Sequence, residues 1–374
     1  MKTSGFLDKI TVWKNIYKRI HYFREMYPLS SIIKDAFLFP VDYLFAEKKI
    51  KTIRNITFFI THKCNIRCKM CYFKEGLKNT KEIPLPVFKE VIDQVKHTKT
   101  SIQFGGGEPF THPDLLEMIR YTKEAGLPVQ IFTNGILVTK DIADQIVQMN
   151  ADYINFTLLG NETTHSEVTN VAGSYQKFIT NLEYISSKRG KTRVILNYTF
   201  SPYSYKDYTH AFYIADRLKL DGLRFQHYMY LLPEEIELQS KVMKKIFDKD
   251  IKSITEQCEC DVSEMIEALI QIKERVKTDY PNLNVQWAPM LTENEIRNWY
   301  SGEKFITSRK CLYPWRGIHI DADGRIYPCT KIYFEIDKIE GNNVIDSWNN
   351  QNMKSFRKNL KRSLFPACSR CCKL

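Results

Sequence analysis

At 374 residues the chain exceeds the usual size of one domain, so a large barrel-like domain with an appendage is the expectation. Hydrophobic residues make up 43%, enough for a substantial core, and no run of about 18 uninterrupted apolar residues occurs, which argues against a membrane span. The formal charge of +12 suits an anionic partner such as phosphate, nucleic acid or a lipid headgroup, although such a balance is also common in ordinary soluble proteins, the plainer reading.

The N-terminal stretch from Met1 to Tyr43 scatters charges through its apolar positions and has no small-residue cleavage site, so it does not read as a secretory signal. A cytoplasmic address is expected. Eight of the ten cysteines cluster at Cys64 to Cys71 and at Cys311 to Cys372, which in a long chain without a signal points to metal ligation rather than disulfides.

Residues 1–50 are rich in aromatic and basic side chains (Trp13, Lys14, Tyr17, Lys18, Arg19, Tyr22, Phe23) and read as a helical extension. Such a segment suits either peripheral contact with a membrane surface or packing on the rest of the protein, packing being the plainer. From residue 51 to 232, short β-branched or aromatic runs alternate with amphipathic ones. Strands are predicted at Ile56 to Thr61, Ser101 to Gly105, Val129 to Thr133, Tyr153 to Leu158, Arg193 to Thr199 and Gly222 to Gln226. Helical periodicity fills Leu85 to Lys96, Pro113 to Glu124, Lys140 to Met149, Tyr175 to Ser187 and Tyr208 to Leu218. The alternation predicts an α/β fold with a parallel sheet, and six units suit an open, partial (β/α)6 barrel. Residues 233–304 read as a charged, helical connecting segment in which Cys258 and Cys260 are incidental, and 305–374 as a small cysteine-rich domain of β-hairpin and helix.

The chemically loaded residues fall where strands end, the face on which parallel barrels build their active sites. After the first strand, Cys64, Cys68 and Cys71 form a CxxxCxxC loop. Soft thiolates favour iron–sulfur clusters or zinc, and three thiols without a close fourth leave one iron of a cluster open to a small chelating molecule. The alternative is zinc completed by His62 or a distant cysteine, although its ligands usually come as two CxxC-like pairs. Gly105, Gly106, Gly107 and Glu108 follow the second strand, where glycines admit close approach of backbone and a carboxylate accepts from an ammonium. Thr133, Asn134 and Gly135 form a turn after the third strand, Thr157 ends the fourth, and Asn197 is a polar residue inside the apolar fifth. Arg224, Gln226, His227 and Tyr228 close the sixth and are placed to face a substrate, with His227 as readily an ordinary packed histidine. Near the C-terminus, Cys311, Cys329 after an Asp323-Gly324 turn, and Cys368, Cys371 and Cys372 offer thiols that can tie together a piece too small for its own core.

The CxxxCxxC loop, the Gly-Gly-Glu-Pro turn and the Thr-Asn-Gly turn together resemble the radical S-adenosylmethionine (SAM) superfamily, and the C-terminal cysteines resemble its SPASM and Twitch extensions. The resemblance implies a partial barrel with a [4Fe-4S] cluster on Cys64, Cys68 and Cys71, whose open iron is chelated by the amino and carboxylate groups of SAM. Reductive cleavage then gives a 5′-deoxyadenosyl radical that abstracts a substrate hydrogen. It implies that Met70 or Tyr72 contacts adenine, that Glu108 with Gly105, Gly106 and Gly107 holds the methionyl amino group, and that Thr133 and Asn134 border SAM. Thr157 would keep a hydroxyl near the ribose or carboxylate, and Asn197 makes either a ribose contact or a structural hydrogen bond. Leu159 stands where many members carry an acid. One auxiliary [4Fe-4S] cluster is implied on Cys311, Cys329, Cys368 and Cys371, with Cys372 able to replace Cys371. The implied partners are an electron donor such as ferredoxin or flavodoxin and a small-molecule or sugar substrate, or alternatively a ribosomally made peptide. Against the peptide, residues 1–50 are too short for the winged-helix leader-binding domain of many peptide modifiers. The rival of another class is a zinc-stabilised nucleic-acid-binding protein, for which no nucleic-acid motif appears.

Overall fold

In the computed structural model, the described residues are Tyr43, 49–249, 262–305 and 307–374. The chain divides into Met1–Ile50 and Lys51–Leu374. The helical extension expected over 1–50, apart from Tyr43, Lys49 and Ile50, lies outside the described residues, as do Cys258 and Cys260.

Seven strands, β1 (Asn55–Thr61), β2 (Ser101–Gly106), β3 (Val129–Thr133), β4 (Tyr153–Leu158), β5 (Arg193–Phe200), β6 (Gly222–His227) and β7 (Val285–Ala288), pair in parallel and in chain order. The helices between them are α1 (Leu85–Val95), α2 (Leu115–Glu124), α3 (Lys140–Gln148), α4 (Glu162–Thr169), α5 (Ser174–Lys188), α6 (Tyr208–Arg217), α7 (Pro233–Phe247) and α8 (Glu264–Asp279). Alternation along each strand sends one set of side chains to these helices: Phe58 meets Phe88 of α1 and Phe225 meets Phe212 of α6, all of them buried. Burying such a side chain contributes ~1.5–3 kcal/mol, and this repeated layer is the core. The opposite set, including Gln103, Gln130, Asn155, Thr157, Asn197, Arg224 and Gln286, faces the inside of an open barrel and is largely polar.

The partial barrel agrees with the pattern in the sequence, but it carries a seventh strand. Val285–Ala288 lies in the segment read as a helical connector; four residues flanked by charged helices are too short to show a period of two. The helix α4 was also missed. Its run ETTHSEVT is poor in strong helix formers, and it forms because Asn161 caps it, accepting from the Thr164 amide at 3.0 Å.

After α9 (Glu293–Tyr300), the C-terminal hairpin does not stand apart from the barrel. Its first strand, β8 (Gly317–Ile320), pairs in parallel with β1, while β9 (Arg325–Tyr327) and β10 (Asp337–Lys338) continue the same sheet antiparallel, so ten strands form one sheet. Gly317 permits this approach, because a Cβ there would lie 2.6 Å from the Asn55 carbonyl oxygen. Two helices, α10 (Val344–Ser347) and α11 (Gln351–Arg362), precede the last cysteines.

Candidate functional site: a cysteine loop and a second cysteine set across one sheet

The loop bearing Cys64, Cys68 and Cys71 leaves the C-terminal end of β1, and its thiols are half-buried and close enough to interact electrostatically with one another. Its shape is imposed by neighbours. The Gly107 amide donates to the Thr61 carbonyl at 2.9 Å and the Glu108 amide to the Lys63 carbonyl at 2.8 Å, stitching the glycine turn to the stem of the loop. A Cβ on Gly107 would sit 2.0 Å from the Lys63 oxygen, and one on Gly106, at φ +124°, would sit 2.4 Å from the Thr61 oxygen. These two glycines therefore serve the close passage of the chain's own backbone, whereas Gly105 has ordinary room beside Phe59. On the other side, the Arg67 and Lys69 amides donate to Thr169 and Val168 at the end of α4.

Glu108 is 1% exposed and gathers the surrounding turns. Its carboxylate accepts from the Thr133 hydroxyl and the Asn134 amide, both at 2.7 Å, and from the Phe110 amide at 3.2 Å. Burial nevertheless pushes its pKa up to about 7, against the pull of those donors. Asn134 Nδ2 donates to Asn65 Oδ1 at 2.8 Å, so the turn after β3 also grips the cysteine loop. Asn65 was not singled out in the sequence, since an asparagine between two cysteines carries no pattern of its own. Burial also raises the Cys64 thiol to about 11 and shifts Cys68 in the same direction, so a bound cation is what would hold them as thiolates.

The remaining expected contacts separate. Thr157, half-buried, pairs in register with Asn197, which pairs with Arg224, which pairs with Gln286, forming a row across β4 to β7 on the inner wall. Asn197 is 7% exposed and its Oδ1 has no hydrogen-bond partner among the described residues. Met70 is half-buried within the loop. Tyr72 lies within electrostatic range of Cys371 and Cys372 as well as Cys71, an unexpected placement towards the second cysteine set. His227 is packed among Trp287, Trp299 and Tyr300, and burial lowers it to about 3, as an ordinary core histidine.

Cys311, Cys329, Cys368 and Cys371 converge from three separate segments and interact electrostatically. Cys372 donates to Cys371, and this bond, with the charge of Lys331, brings Cys371 down to about 6 and makes it the more acidic of the pair. Lys331 is 5% exposed and donates to the Ser369 carbonyl at 2.6 Å, placing a buried cation beside four thiols. The tail is locked by Arg370, whose guanidinium donates twice to Glu235 of α7 at 2.7 Å, while Gln239 accepts from the Ala367 amide at 3.0 Å.

A buried link joins the two sets: His62 Nε2 donates to Asp321 Oδ1 at 2.8 Å. Burial raises the Asp321 carboxyl, but the bond from His62 and the nearby His319 hold it below its usual value. The link depends on β8 lying beside β1, which no local motif announces. Among the described residues no three His, Cys, Asp or Glu side chains converge on the position of a single ion. A tetrahedral zinc would need four donors within about 2.3 Å of one point, whereas an iron–sulfur cluster distributes its thiolates over several irons. The two groups of soft thiols suit iron–sulfur ligation in both places.

A barrel of this order with thiols on the loop after its first strand defines a class of enzymes that cleave SAM at an iron–sulfur cluster. The family model of the Radical SAM superfamily matches residues 58–212, and that of the SPASM iron–sulfur cluster-binding domain matches residues 311–372. The chain belongs to the radical SAM superfamily, is an enzyme, and carries a C-terminal SPASM domain; SAM, a [4Fe-4S] cluster and auxiliary iron–sulfur ligation go with these families. It is 21% identical, over 83% of its length and 85% of the relative's, to a tungsten-containing aldehyde ferredoxin oxidoreductase cofactor-modifying protein of Pyrococcus furiosus. It is 24% identical to the mycofactocin maturase MftC of Mycolicibacterium smegmatis over 35% of its own length and 34% of that protein's. The fold matches that of Streptococcus suis SuiB bound to SAM, with TM-score 0.60 and 15% identity over 83% of this chain and 69% of SuiB. These findings displace the zinc-stabilised nucleic-acid-binding reading. No helix among the described residues is long and apolar enough to cross a membrane.

Proposed function

We propose that Cys64, Cys68 and Cys71 hold the SAM-cleaving cluster and that the polar barrel interior receives a small-molecule or sugar-type substrate from which a hydrogen atom is abstracted. The observation that carries this reading is the three-thiol loop clamped to a buried carboxylate, Glu108, through the Lys63 and Asn134 backbone. When bound, the cluster and SAM supply one-electron cleavage of a carbon–sulfur bond, which yields a radical able to take hydrogen from an unactivated C–H bond. The protein's own part is binding and orientation. Glu108 accepts from the amino group of SAM, Thr133 and Asn134 keep that carboxylate aimed, and Thr157 and the unmet Oδ1 of Asn197 offer contacts for hydroxyl groups. Gly106 and Gly107 hold the turn against the loop, Gly105 leads into it from the end of β2, and Met70 borders it. We place Tyr72 between the two cysteine sets instead of against adenine.

The auxiliary cluster is assigned to Cys311, Cys329, Cys368 and Cys371. Buried Lys331 offsets the negative charge gathered there. An electron donor such as ferredoxin or flavodoxin would supply reducing equivalents. A second reading, a ribosomally made peptide as substrate, draws on the similarity to SuiB, solved also with its precursor peptide SuiA.

The test is anaerobic purification followed by reaction with SAM and a chemical reductant. Stoichiometric iron and sulfide with release of 5′-deoxyadenosine, lost in Cys68→Ala, is the expected result; a zinc-loaded colourless protein that leaves SAM intact overturns it.

A further inference from the structure

The inner wall of the barrel has an uneven charge. The inward positions of β1 to β7 carry hydroxyls, amides and apolar groups, with two arginines and no carboxylate. Arg193, at the start of β5, is occupied: its Nη1 donates to the Tyr153 hydroxyl at 2.9 Å and its guanidinium lies against that ring. Arg224, in the middle of β6, is placed differently. It is half-buried and donates one long bond, 3.3 Å, to Gln286 Oε1, and it makes no ion pair among the described residues. A guanidinium has five N–H donors in a planar fork suited to two oxygens of one anion, and withdrawing such a cation from water without a counter-ion is costly.

The residue beside it strengthens the case. Asn197 faces Arg224 in register one strand away, about 4.8 Å across the sheet, and is 93% buried with an acceptor that nothing in the described chain satisfies. The unmet amide oxygen calls for a donor such as a ligand hydroxyl, so it marks this stretch of wall as facing a ligand, while the anion-seeking group is the guanidinium, which has no ion pair among the described residues. Gln226, two residues further along β6, and Gln286 are half-buried like Arg224 itself.

We infer that Arg224 binds an anionic oxygen group, a carboxylate or phosphate, carried by the substrate. This rests on the reading of the barrel interior as the substrate chamber and narrows the substrate to an acidic molecule. The same chemistry is offered by the carboxylate of SAM, so the experiment separates the two sources.

The test uses the cluster-loaded protein saturated with SAM at low ionic strength, with orthophosphate as the probe in equilibrium dialysis. A single saturable phosphate site is expected, weakened about tenfold or more in Arg224→Gln and partly retained in Arg224→Lys, as the loss of charge-assisted bonds predicts. Equal binding by the unaltered protein and Arg224→Gln, or no saturable site, overturns the inference. So does a tenfold loss of SAM affinity in Arg224→Gln, which assigns the guanidinium to SAM. A measurement without any variant accompanies these: phosphate protects the Arg224 peptide of the unaltered protein from phenylglyoxal, and absence of protection counts against the site. Binding is read without turnover, so a failure to cleave SAM, which would remove the proposed function, is scored separately.

Discussion

The two cysteine sets are built by opposite strategies. In the first, three thiols share one short loop, and neighbouring turns merely clamp that loop through the backbone amides of Gly107 and Glu108 and the side-chain amide of Asn134. In the second, the thiols arrive from three segments between Cys311 and Cys372, and buried side chains must bring them together. Local chain geometry secures the first set; tertiary packing secures the second. Damage to long-range contacts should therefore disperse the second set while sparing the first.

The largest expected effect comes from Arg370→Ala. Arg370 is fully buried and its removal leaves Glu235 as an uncompensated buried carboxylate, a loss of about 3–5 kcal/mol. Chemical denaturation should show that loss, and iron analysis should show depletion at the C-terminal set with SAM-site iron retained. Equal loss from both sets would break the distinction. Gly107→Ala tests the first set, because its Cβ would collide with the Lys63 carbonyl. A destabilisation of about 1–3 kcal/mol is expected, with cluster loss confined to Cys64, Cys68 and Cys71 and read by electron paramagnetic resonance.

A smaller effect concerns pH. Burial raises Glu108 from 4.5 to about 7 in the folded protein, so the fold binds this proton more tightly than the unfolded chain does. Its contribution is present in full below about pH 4.5 and is lost as pH rises through about 7. The melting temperature of the cofactor-free protein should fall between pH 5 and 8, and Glu108→Gln should flatten part of that slope; an unchanged slope would remove Glu108 as its source. The smallest effect is Asn65→Ala, which removes one partly buried hydrogen bond to Asn134 and should cost about 0.5–1.5 kcal/mol in thermal unfolding.

Much of this was legible in the sequence. The β/α alternation from Asn55 to His227 is written in side-chain period, and each strand there lies within a residue or two of where the pattern put it. The cysteine loop and glycine turn are short motifs with their meaning in adjacent residues. Less legible were β7 and α4, whose runs are too short or too polar for periodicity and which form because neighbours or a cap complete them.

The chain's local order thus determined the parallel sheet, the strand-end loops and the spacing of the first three thiols, since each depends on contacts a few residues apart. Tertiary structure alone decided that β8 would lie against β1 and that His62 would meet Asp321. It also decided that Tyr72 would stand towards Cys371 and Cys372, and that Arg224 would be left without an acidic partner on the inner wall. These relations join residues far apart in the chain, and they are fixed by which buried faces and unpaired groups find one another, a balance that no local pattern records.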